Sequence, residues 1–269
     1  MTSNLNRTRL FTALGLAALA SSSLAGGGSP LLSYTRILVT WNTQLFPQAG
    51  SLKLVAGEAR REEPSFFAPT HFRLLLQAAP SAYGIETELN IYPLADLLHQ
   101  YPETTDGSVR QQIQKLRSLI AKPATLNTAD VFHLPAVEVV NSSLTVASAR
   151  KSLSTASLSG VRYLGTFSQD VSRFANTDVR YLFQGLSRDG QYLITLNASF
   201  AGNKLPSRSA LEAQGYDVAP QPNGTAADQA RYERAVKAYF QQTAQILSES
   251  GTAPEVRRLD QLVLSLKFN

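Results

Sequence analysis

There is no cysteine among the 269 residues of this chain. That absence excludes thiolate zinc centres, thiol redox chemistry, cysteine nucleophiles and disulfide staples. It also excludes a bacterial lipoprotein anchor, which needs a cysteine at the cleavage site. Histidine is scarce. His71, His99 and His133 stand far apart, and no two share the spacing of a metal-ligand pair. No metal and no cofactor are expected. There is neither a P-loop nor a G-x-G-x-x-G to cradle a phosphate. After the first residues, no stretch approaches the roughly 20 apolar residues of a membrane-spanning helix, and no lipidation motif is present.

What is present begins with an export signature. Arg7 and Arg9 precede an apolar run from Leu10 to Ala20, and Ser23-Leu24-Ala25 supplies small residues where a signal peptidase reads. Residues 1–25 are therefore expected to be a cleavable signal peptide. Thr8 separates the two arginines, so a twin-arginine signal is not supported. Gly26-Gly27-Gly28-Ser29-Pro30 would end any helix there, and residues 26–34 read as a flexible leader. The expected location is the periplasm or the extracellular space. Residues 35–269 read as one globular domain. A chain of that size buries roughly three quarters of its unfolded surface and needs no staples. The formal charge is +5. Loss of Arg7 and Arg9 would leave about +3, a weak attraction toward anionic envelope polymers. The basic residues Arg110, Lys115, Arg117, Lys122 and Arg257-Arg258 read as solvated faces, so no nucleic-acid partner is expected.

The pattern along the domain is α+β. Strands are expected at 36–41, 51–59, 71–79 and 88–92, with Leu52, Leu54 and Ala56 on one face of the second. Pro93 should start a short helix. Ser108 precedes Val109, Ile113, Leu116 and Ile120 at helical spacing, which predicts an amphipathic helix over 108–121, ended by Lys122-Pro123. Four strands follow, at 143–154, 161–168, 179–186 and 191–200. Asp189-Gly190 between the last two is a hairpin signal. The four form an antiparallel meander. Thr225, with Asp228 three residues on, caps a long helix over 225–248. A last helix over 255–265 has Leu259, Leu262, Val263 and Leu266 as its buried stripe, leaving Asp260, Gln261, Ser265 and Lys267 outside it. The fold class is an antiparallel sheet meander with helices packed on it.

Catalytic patterns are weak. Ser148 and Lys151 match an S-x-x-K, but an unbroken strand would point them to opposite faces. Asp96 and His99 stand one helical turn apart, a spacing that suits a local hydrogen bond. Glu86 and Glu88 share one face of a strand. Sequons occur at Asn6, Asn141, Asn197 and Asn223. The segment from Gly160 to Phe200 stands out for its polar aromatics. Arg162, Tyr163, Tyr181, Gln184 and Tyr192 are the candidate ligand-binding residues, able to stack on and hydrogen-bond a sugar or peptide.

The blocks Gly160-Val161-Arg162-Tyr163-Leu164, Tyr181-Leu182-Phe183-Gln184-Gly185-Leu186, Asp189-Gly190-Gln191-Tyr192 and 259–267 resemble a family of uncharacterised exported bacterial proteins and lipoproteins. The resemblance spans residues 90–269 and is carried by those blocks. This chain departs from the lipoprotein members in lacking the anchoring cysteine, and the resemblance brings no activity or functional residues with it. The closing helix also resembles the ends of PsbP- and Mog1-like sandwiches, a likeness of fold alone. The expected role is a non-catalytic exported domain that binds an envelope glycan, a peptide or a protein partner. The rival is an envelope hydrolase whose carboxylate or serine site is assembled by the fold.

Overall fold

The structure, a computed structural model, describes residues 9–12, 38–41, 45–46, 49–61, 65–77, 86–105, 108–138 and 142–268. Most of the expected signal peptide and all of the leader lie outside them. Within the first segment, β1 (Arg9–Thr12) pairs antiparallel with β2 (Leu38–Trp41), which also pairs with β10 (Lys267–Phe268). If residues 1–25 are removed, β2 keeps only β10.

The body of the fold is an antiparallel sheet of seven strands: β3 (Lys53–Val55), β4 (His71–Gln77), β5 (Thr87–Pro93), β6 (Ser143–Ser154), β7 (Leu158–Ser168), β8 (Arg180–Ser187) and β9 (Tyr192–Ser199). Their order is β3-β4-β5-β9-β8-β7-β6. The last four form the expected meander, and β9 joins it to the three earlier strands. Gly190 turns the β8–β9 hairpin with φ of 72°, a conformation that glycine adopts without a Cβ penalty.

Five helices cover both faces. One face carries α1 (Leu94–Gln100), capped by Pro93, and α2 (Val109–Ala121), where Ser108 accepts from Gln111 N at 3.3 Å. The other carries α4 (Ala226–Ser250) and α5 (Pro254–Ser265). A shorter α3 (Arg208–Gln214) precedes α4. Strand alternation sorts the interior into two cores. Leu89, Ile91, Leu164, Tyr181, Phe183 and Ile194 point to the α5 side and meet Val256, Leu259, Leu262 and Val263. Tyr92, Val161, Tyr163, Leu182 and Leu193 point the other way and meet Leu97, Ile113 and Leu116.

Three expectations need correcting. Leu54 is exposed while Leu52 is buried, because the second strand shortens to three residues at the sheet edge. Asp260 is not outside the buried stripe of α5. It is buried with Val256, Leu259 and Val263, at the i, i+3, i+4 and i+7 positions of one face. Ser148 and Lys151 do not point to opposite faces. A bulge between them, with Ala149 at φ of 52°, inserts one residue, so Ser148 pairs with Leu164 and Lys151 with Arg162 on the same side. No hydrogen bond joins the two, and Lys151 is engaged elsewhere.

Candidate functional site

The five candidate ligand residues divide between the two faces. Arg162 and Tyr181 lie on the α5 side, and neither reaches an open surface. Arg162 Nε and Nη2 donate to Asp260 Oδ1 and Oδ2, each at 2.9 Å. Tyr181 donates to Oδ1 at 3.0 Å, and Lys151 Nζ donates to Oδ2 at 3.0 Å. Arg162 Nη1 also donates to the Ala149 carbonyl at the bulge. Burial pushes the Asp260 carboxyl upward, but the bonds from Arg162, Lys151 and Tyr181 outweigh it and hold the group below its ordinary value. The same surroundings, burial first and Asp260 second, push the Tyr181 phenol well up and keep it a donor.

Tyr163 and Gln184 lie on the α2 side, and their partner is the protein's own chain. Tyr163 donates to the Pro135 carbonyl at 2.6 Å. Gln184 Oε1 accepts from Val137 N at 3.4 Å, and Gln112 Oε1 accepts from Ala136 N at 3.1 Å. These bonds lay the segment 134–138 across the sheet. Tyr192 is half-buried at the edge of the α5-side core. Four of the five candidates therefore grip residues of this molecule.

The segment they hold carries Glu138, which sequence reasoning missed. Its Oε1 accepts from Tyr92 at 2.5 Å, Thr195 at 2.7 Å and Asn90 at 3.2 Å. The same Asn90 amide donates to Glu88 at 3.2 Å, so two carboxylates converge on one side chain. Arg73 pairs with Glu88 at 2.7 Å and with Glu86, which confirms that the two glutamates share a face. Burial raises the Glu88 carboxyl; Arg73 works against that rise and the Glu138 charge adds to it. Asn90 Oδ1, Asn197 Oδ1 and Arg180 Nε are buried nearby without a hydrogen-bond partner. His71 packs against Tyr92 with ring centres 4.8 Å apart and bonds the Pro69 carbonyl at 2.8 Å; burial lowers its pKa, and the Pro69 bond works against that fall. His99 and His133 are exposed. No group of three histidines and carboxylates suited to a metal occurs among the described residues.

A groove of about 1280 Å³ opens beside α2. Its walls mix apolar side chains such as Val109, Leu119 and Phe167 with amides and hydroxyls, among them Gln111, Gln112, Gln114 and Ser118 from α2, Thr125 from the following 3₁₀ turn, Pro123–Asn127, and Thr128 just beyond it. A second such turn, Val131–His133, sets Phe132 on its rim, 70% exposed. Arg60 and Glu103 at one end pair with each other, and Lys115 adds a positive charge to the lining. Neither Phe132 nor the groove was legible beforehand, since a loop has no periodicity to reveal which side chains it turns outward.

The site thus belongs to an α+β protein with an antiparallel sheet between two helical layers. Compared with known proteins, the chain matches no family model, no curated protein and no solved structure.

Proposed function

We propose that this chain is an exported, non-catalytic domain that binds a neutral, polyhydroxylated ligand, an envelope glycan, in the groove beside α2. The observation that carries this reading is the exposed Phe132 above a lining of glutamine amides and hydroxyls. Flat apolar ring faces of sugars stack on aromatics, while their hydroxyls exchange bonds with amides. Beyond the Arg60–Glu103 pair, Lys115 is a single added charge on the walls, and so little net charge suits an uncharged polymer better than a highly charged peptide. The test is calorimetric titration with chito-, cello- and malto-oligosaccharides and with soluble peptidoglycan fragments. At least one should bind, and Phe132→Ala should weaken it about tenfold while leaving Tm unchanged, because so exposed a ring contributes little to the core. Failure of the whole panel at millimolar concentration would remove the groove from consideration.

A hydrolase is the second reading, favoured by the convergence of Glu88 and Glu138 on Asn90. A carboxyl raised by burial beside a second carboxyl is a pairing that acid–base cleavage uses. Turnover of any oligosaccharide in the panel, lost by about 10²-fold or more in Glu138→Gln, would establish it. Binding without turnover would leave the first reading in place.

A further inference from the structure

The stripe of α4 is only partly covered. Thr243, Leu247 and Ser250 near its end are buried, but Tyr232, Val236, Phe240 and Ala244 are half-buried. The reason is geometric. Tyr239 accepts from Phe174 N at 2.6 Å, and Phe174 stacks on Tyr239 and Phe240 at 6.0 and 6.2 Å, which pins the middle of the helix. The turns before it stand off the edge strand β6. The gap is a cavity of about 650 Å³ with mostly apolar walls, including Val146, Ala147, Val236 and Phe240. It is separate from the α2 groove, with only Val131 lining both. Pockets of roughly 300–1,000 Å³ with apolar walls and a few polar groups are the usual form of a small-molecule site.

The charges at this cavity select among occupants. Lys237 and Arg150 line it, against a single acid, Glu233. The Arg150 guanidinium donates to the carbonyls of Leu126, Ala129 and Ala147 and bonds no carboxylate. Among the described residues Lys237 makes neither an ion pair nor a hydrogen bond. Glu233 accepts from Gln229 at 2.8 Å. We infer that the cavity between α4 and β6 binds a long-chain aliphatic anion, its chain against Val236 and Phe240 and its carboxylate beside Lys237 and Arg150.

The test titrates the full chain with dodecanoate, dodecanol and dodecyltrimethylammonium, each below its micelle concentration, with stoichiometry from calorimetry and association state from sedimentation. One dodecanoate should bind per chain, at least about tenfold more tightly than either other amphiphile. Lys237→Glu should weaken dodecanoate about tenfold and leave dodecanol within about twofold. Val236→Trp, which fills the space, should abolish uptake with Tm retained. If that variant does not fold, the Lys237→Glu comparison decides alone. The inference is overturned if dodecanoate does not bind, if the three amphiphiles bind equally, if Lys237→Glu changes nothing, or if the chain is a dimer that takes up no dodecanoate. None of these outcomes depends on whether the α2 groove binds sugars.

Discussion

Replacing Asp260 by alanine is expected to cost the domain about 3–5 kcal/mol, because it strands a buried arginine. Arg162 is 3% exposed and Asp260 4%. Their bidentate pair is the favourable geometry for such groups. With the carboxylate gone, a guanidinium and a phenol remain in the core with the Ala149 carbonyl as the only other hydrogen-bond partner between them among the described residues. Lys151 is half-exposed and regains water, so Lys151→Ala should cost under about 1 kcal/mol. Arg162→Leu together with Asp260→Leu should recover much of the loss, since an apolar pair can replace a buried ion pair at little cost. Urea unfolding of the three variants measures this. An Asp260→Ala protein within about 1 kcal/mol of the parent would show that water reaches Arg162. The pH dependence has a fixed sign. A carboxyl held below its ordinary value of 3.8 contributes in full above that pH, and the contribution is lost as pH falls further. Asp260→Asn should flatten that acid limb.

The second large effect is steric. Gly160 and Gly185 are paired across β7 and β8, and the Phe183 ring lies on both. A Cβ on Gly185 would fall 2.6 Å from Phe183 Cζ and 3.0 Å from the Ser159 carbonyl oxygen. A Cβ on Gly160 would fall 2.4 Å from the Gln184 carbonyl oxygen, which is backbone and cannot swing aside. Gly185→Ala and Gly160→Ala should each cost about 3 kcal/mol, the upper end for overpacking, or a fall in Tm of roughly 6–12 °C. A second substitution separates the two causes. Phe183→Leu should relieve much of the Gly185→Ala penalty and little of the Gly160→Ala penalty. Equal rescue of both would mean that the ring alone sets the cost.

These residues explain how far the sequence could be read. The elements were legible wherever a local signal was complete: Ser108 ahead of Val109, Ile113 and Leu116, Thr225 with Asp228, and Asp189-Gly190 between two β-rich runs. The segment 160–200 stands out in the sequence for its polar aromatics, and most of these are turned inward. Arg162 and Tyr181 hold Asp260, while Tyr163 and Gln184 hold residues 135–137. A polar side chain on a strand looks the same in sequence whether its partner is a ligand or the chain itself. Asp260 was misplaced for a related reason. An apolar stripe counts greasy residues, and a carboxylate inside that stripe is invisible until its arginine is found 98 residues earlier. The Ser148–Lys151 face assignment failed because a bulge leaves no mark in a serine-rich strand. Glu138 and Phe132 lay in stretches without any period.

The Asp260 pair also sets a schedule. Arg162 sits in the middle of the meander, and its counter-charge comes from α5, the last helix. Until α5 has been synthesised and docked, the face of the sheet that carries Arg162 lacks the cover of Val256, Leu259, Leu262 and Val263. A chain that stops short of Asp260 lacks both the partner of this arginine and most of the cover over its neighbours. The α5-side core is therefore completed from the far end of the chain, by the helix that also brings the counter-charge.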